Sequence, residues 1–124
     1  MNIALWVAQG LLGLGFLGAG YNHGFQAEQM KSQRGGEWVA AVPKRLLDPI
    51  AACEILGGIA VILPALTGIL PWLTPVAATL FVLLMLLAAG FHLLRREFPN
   101  IVFNVILLAL AAFVAYGRFV IVPL

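Results

Sequence analysis

Few side chains in this sequence can do chemistry, and Glu54 is the first of them. It stands inside the apolar run Cys53-Glu54-Ile55-Leu56, where an ionised carboxylate would have no water to face. A carboxyl so placed must turn toward other helices, be paired, or hold a proton. It can then carry a proton, anchor a ligand or partner a cation. The plainer alternative is a glutamate that hydrogen-bonds across helices to fix their packing. His92 closes a later apolar run and is the expected partner of Glu54. Asn104 lies five residues past Pro99, suited to orient either a ligand or the glutamate. Asn100, four residues before it, falls on the same helical face. His23, just after the first apolar run, and Arg95, just after the third, are expected at the mouth of the same pocket.

Each of these residues has a simpler job open to it. A histidine at a helix C-terminus can interact with the last carbonyls. An asparagine in a membrane helix can serve as an interhelical donor, and a terminal arginine pair can set topology. The two histidines fall at different connections with no HxxxH or His-x-x-Glu pairing on one helix, so no haem or metal site is expected. Cys53 is the sole cysteine, which excludes an intramolecular disulfide.

The elements that must position these residues follow from composition. Of 124 residues, 63% are hydrophobic and 10% charged, with a mean hydropathy of +1.05. Soluble domains run at about 25% charged. So few charges cannot cover a water-facing surface, which excludes a soluble globule and equally a disordered segment. The net charge of +2 is too small for a nucleic-acid footprint. Four apolar stretches, at 3–20, 49–66, 72–94 and 99–121, each approach the length that crosses a ~30 Å hydrocarbon layer as a helix. The first has no basic flank and no small-residue cleavage pattern, so it is expected to be a retained span and not a signal peptide.

The expected architecture is all-α: a single-domain integral membrane four-helix bundle over residues 1–124. Two tight connections make successive helices antiparallel. The first connection, 21–48, is long and polar, and a loop of that length is more often functional or partly structured than idle. It is expected either to lie on the membrane surface or to fold back over the bundle. The second helix can start after Asp48 or, earlier, at Val42-Pro43. Measured from Asp48, Glu54 lies ~9 Å along the axis.

Lys31, Arg34, Lys44, Arg45, Arg95 and Arg96 all fall on the first and third connections, leaving only Arg118 for the other face. The positive-inside rule then makes the long loop cytoplasmic and puts both termini outside, in the periplasm for an inner-membrane protein. The first span carries Gly10, Gly13, Gly15, Gly18 and Gly20, and the second carries Gly57-Gly58. Such runs let helix backbones approach closely in lipid.

Several of these segments resemble the DoxX-like family of small four-helix membrane proteins. The segments are Gly15-Phe16-Leu17-Gly18-Ala19-Gly20, Glu54-Ile55-Leu56-Gly57-Gly58, Leu63-Pro64-Ala65-Leu66-Thr67-Gly68, His92-Leu93-Leu94-Arg95-Arg96, Asn104 and Tyr116-Gly117-Arg118-Phe119. Members of that family often carry a lysine shortly after the first span, where this chain has His23. Pairing a histidine with the membrane glutamate would make the contact sensitive to pH near neutrality. The resemblance implies an inner-membrane protein, in some members a subunit of sulfur-oxidation or oxidative-stress complexes with quinone as electron acceptor. A quinone-like ligand needs an apolar slot with one or two polar contacts, and Glu54 with His92 would handle its proton. Two other classes are open. One is a small proton-coupled transporter acting as a dimer, although small exporters place their carboxylate in the first span. The other is a non-catalytic subunit packed in a larger membrane complex. The partners expected are lipid, a lipid-soluble ligand, and a second copy or other membrane subunits.

Overall fold

The computed structural model of the chain describes all 124 residues and contains helices and turns only. Five α-helices follow one another: α1 (Asn2–Phe25), α2 (Ala27–Lys31), α3 (Lys44–Thr67), α4 (Leu73–Leu94) and α5 (Phe98–Tyr116). A 3-10 turn, Glu37–Ala41, lies between α2 and α3, and α5 runs on as a π-helical turn, Gly117–Ile121. Four helical stretches are long and apolar enough to cross a membrane: Asn2–Phe25, Lys44–Thr67, Leu73–Leu94 and Phe98–Ile121.

Two helices are longer toward the long connection than the apolar stretches suggest. Apolarity marks what lies in hydrocarbon, but backbone hydrogen bonding carries a helix past it. Helix α1 runs five residues beyond Gly20, which puts Asn22 and His23 on the helix and not in a loop. Helix α3 starts at Lys44, with Pro43 extended at its N-cap and accepting from the Leu46 and Leu47 N–H groups. Pro49 is therefore inside the helix. At the far end Gly68 takes the left-handed conformation (φ 74°) that closes α3, and its N–H reaches the Pro64 carbonyl.

The four long helices close into a ring in which α1 packs on α3, α3 on α4, α4 on α5 and α5 back on α1. Between α1 and α3 the register runs from Gln9 against Val61 at one end to His23 against Glu54 at the other. The ring thus has a terminal end, where Asn2 meets Arg118, and a loop end, which carries the long connection. Its core is Leu12, Phe16, Val61, Ala78, Phe81, Leu107, Ala111 and Val114. The Phe16 and Phe81 rings stack at 3.7 Å. Only 28 residues are buried, while Leu14, Leu56, Leu87 and Phe103 are each more than 60% exposed on the outside. Helices with all backbone groups paired internally and large apolar side chains outside are built for hydrocarbon, not water.

Close approach of α1 and α3 depends on glycine. A Cβ added to Gly58 would stand 2.8 Å from the Gly13 carbonyl oxygen, and one added to Gly20 would stand 2.9 Å from that of Ala51. Gly10 and Gly18 face open space. Three of the small residues are therefore contact points, and two are not.

Candidate functional site

Glu54 is 3% exposed. Because α3 begins at Lys44, it lies ten residues, or ~15 Å, from that helix start, deeper than a start at Asp48 implies. His23 reaches it from α1, with Nδ1 2.6 Å from Oε1. The extension of α1 past Gly20 brings the imidazole over, and the Gly20 contact with Ala51 and Ile55 lets the two backbones come close enough. At this distance one proton lies between the two atoms, carried either by His23 Nδ1 or by the Glu54 carboxyl oxygen. The partner of Glu54 is thus His23, and His92 engages a different carboxylate.

His92, 5% exposed, bonds Glu97 through Nδ1 at 2.9 Å. A backbone turn sets up this contact. Arg96 adopts a left-handed φ of 58°. Its N–H donates to the Leu93 carbonyl, and the Glu97 N–H donates to that of His92. This pair of bonds is the Schellman closure of a helix, and it folds Glu97 back onto the ring directly before α5 begins. Arg95 also donates to Glu97, at 3.0 Å, and lies over the Phe91 ring.

The long connection closes over this end. Val39 is buried, and the Gly35 carbonyl accepts from Asn100 Nδ2 at 2.9 Å. The Trp38 indole stands edge-on to both imidazoles, with ring centroids 5.1 Å from His23 and 5.5 Å from His92. The two acid–base pairs are therefore joined through one aromatic ring. Asn104 is 8% exposed, and its buried Nδ2 has no hydrogen-bond partner. A buried amide donor left unmade is costly and marks a place for an acceptor.

The structure brings Glu54 and His23 into contact and places His92 beside them across Trp38. Asn100 holds the loop and also lies 3.5 Å from His92 Nδ1. Arg95 serves Glu97 and stands apart from Glu54. Trp38 and Glu97 are site residues that the sequence reading did not single out. Their only signals were an aromatic residue two positions after the Gly35-Gly36 pair and a carboxylate five positions past His92. No group of three or more His, Cys, Asp or Glu side chains comes together in a metal-binding arrangement.

Glu97 precedes the last span and is a carboxylate whose titration can be followed. Burial pushes its pKa up, but hydrogen bonds and charge from His92 and Arg95 outweigh that and hold it below its ordinary value of 4.5. A carboxyl depressed in the folded state adds stability above its unfolded pKa and loses it as pH falls through the folded one. Unfolding in detergent is therefore expected to become easier below pH 4.5. Glu97→Gln should remove that part of the acid limb, as thermal melts on either side of this pH will show.

No curated protein and no solved structure matches the chain. A family model does match, described as the DoxX-like family and aligned over residues 7–114. That span includes His23, Trp38, Glu54, His92, Glu97, Asn100 and Asn104, and stops short of Arg118. With four helices fit to cross a membrane and a family match over most of its length, the chain belongs to the DoxX-like family of multi-pass membrane proteins.

Proposed function

We propose that the loop end of this bundle binds a lipid-soluble, quinone-like carbonyl compound and handles its protons, as part of a redox assembly in the inner membrane. The observation that carries the reading is the buried His23–Glu54 contact at 2.6 Å. It is a proton-holding pair placed well inside an apolar bundle, where ionisable groups are expected to serve function. The unpartnered Nδ2 of Asn104 is a donor suited to a carbonyl oxygen. These residues fit such a head group in hydrogen-bonding terms. When bound, a quinone supplies the two-electron chemistry that this chain's side chains lack.

In this scheme Asn104 holds a carbonyl oxygen by donating from Nδ2. Glu54 keeps the exchangeable proton against His23 Nδ1 and releases it inward, a general acid whose partner restores it. Trp38 shields both imidazoles from water at the loop end. His92 and Glu97 form a second proton-holding pair on the other side of the indole, which would connect the first pair with the aqueous face. The six basic residues at the loop end favour a cytoplasmic position for it, and a partner subunit would provide the electrons.

Titrating the purified protein with a short-chain quinone analogue, read by tryptophan fluorescence, tests this reading. Saturable binding is expected, weakened about tenfold or more by Glu54→Gln and by Asn104→Leu, the size of a lost buried hydrogen bond to a polar ligand. No saturable signal, together with no quinone in solvent extracts of the purified protein, would refute it. Proton-driven uptake into vesicles that Glu54→Gln abolishes, without quinone binding, would move the assignment to a small proton-coupled transporter.

A further inference from the structure

The terminal end of the bundle holds a second buried polar cluster of a different character. Arg118 is 2% exposed. Its Nε donates to Gln9 Oε1 at 2.7 Å, and one Nη donates to Asn2 Oδ1 at 2.8 Å and to the Val122 carbonyl at 3.2 Å. Gln9 is itself held by the Val61 carbonyl, at 2.9 Å. The Trp6 ring lies 5.3 Å from the guanidinium carbon. The other terminal nitrogen, Nη2, is buried with no partner.

Every group that Arg118 touches is neutral, and no ion pair reaches it. All five acidic side chains (Glu28, Glu37, Asp48, Glu54 and Glu97) belong to the other half of the chain's architecture, on or near the loop-end connections or the first half of α3. A buried cation in a membrane protein is expected to be paired, because leaving it uncompensated is costly. Arg118 is also held in place deliberately. Gly117 packs directly against Leu5, where any Cβ would collide, and the chain there takes a π-helical turn, Gly117–Ile121. Single π-turns of this kind are frequent at functional sites. Arg118 lies three residues before the end of the last apolar helical stretch, Phe98–Ile121.

We propose that Arg118, with Asn2 and Trp6, forms a binding site for an anionic oxygen ligand at the terminal end, with a phospholipid phosphate as the favoured source. The guanidinium supplies charge and the free Nη2 donor. Asn2 and Gln9 fix its plane, and Trp6 covers its face. Arginine suits this task because its donors match phosphate oxygens and its charge is permanent.

The test uses the full chain with Trp38→Phe and Trp72→Phe, so that Trp6 is the sole tryptophan. Quenching of Trp6 by brominated phosphatidylglycerol is compared with quenching by brominated phosphatidylcholine in mixed micelles. The expected result is a preference of about tenfold for the anionic lipid, the factor that one charge-assisted hydrogen bond supplies. Arg118→Gln should abolish it, and Arg118→Lys should keep part of it. If inorganic phosphate displaces the anionic lipid at millimolar level, the site takes a free oxyanion as well, which still supports it. Equal quenching by the two lipids in the otherwise native protein, with no effect of phosphate, overturns the proposal. So does an equal preference at Trp72 when that residue is the sole tryptophan, because this would mean bulk enrichment of anionic lipid. Should Arg118→Gln fail to fold, the ratios at Trp6 and Trp72 decide by themselves.

Discussion

His23→Ala is expected to lower the unfolding free energy in mixed micelles by about 3–5 kcal/mol, the cost of leaving a buried carboxyl without its partner. Little of that loss is packing. It arises because Glu54, at 3% exposure, keeps its need for a partner after the imidazole has gone. Replacing both members with apolar residues of similar size, as in His23→Phe with Glu54→Met, should restore most of the stability or exceed it. The double variant then separates structure from function: a stable bundle that has lost quinone-analogue binding. Denaturant titration in micelles, followed by circular dichroism, checks the first claim. A His23→Ala variant as stable as wild type would show that the pair contributes nothing to the fold.

The second large effect is expected at the crossing of α1 and α3. Gly58→Ala places a methyl group 2.8 Å from the Gly13 carbonyl oxygen and 3.2 Å from the Leu17 nitrogen. Backbone cannot rotate away as a side chain can, so the helices must separate, at about 1–3 kcal/mol for an overpacked contact. Gly20→Ala does the same next to Ala51 and Ile55, and should also loosen His23 from Glu54. Gly10→Ala and Gly18→Ala meet nothing within 4 Å and should be neutral, or stabilising by about 0.5–1 kcal/mol through helix propensity. Melts of the four variants side by side will show whether the two groups separate as expected.

The all-helical class and the four membrane-length helices were legible because hydrocarbon imposes a pattern that runs of leucine, valine and isoleucine display directly. Glu54 was equally visible, since a carboxylate in such a run has no ordinary explanation. Its partner was harder. Apolarity ends at Gly20, but the backbone of α1 continues helical to Phe25, and only that continuation aims His23 at Glu54. His92 lies in the last turn of α4, but its partner depends on the left-handed Arg96 turn that folds Glu97 back, which no spacing rule announces. The role of Trp38 was not legible, because a loop residue's docking against distant helices leaves no periodic trace. Arg118 was read as the single charge of its face. Its burial among Gln9 and Asn2 depends on contacts across more than a hundred positions of chain.

The indole of Trp38 touches both imidazoles while its loop is moored to α5 by one bond, from Asn100 to the Gly35 carbonyl. Lifting that single latch would wet both histidines in the same event. Two acid–base couples on separate helices thus share one aromatic cover, and whatever displaces it reaches both at once.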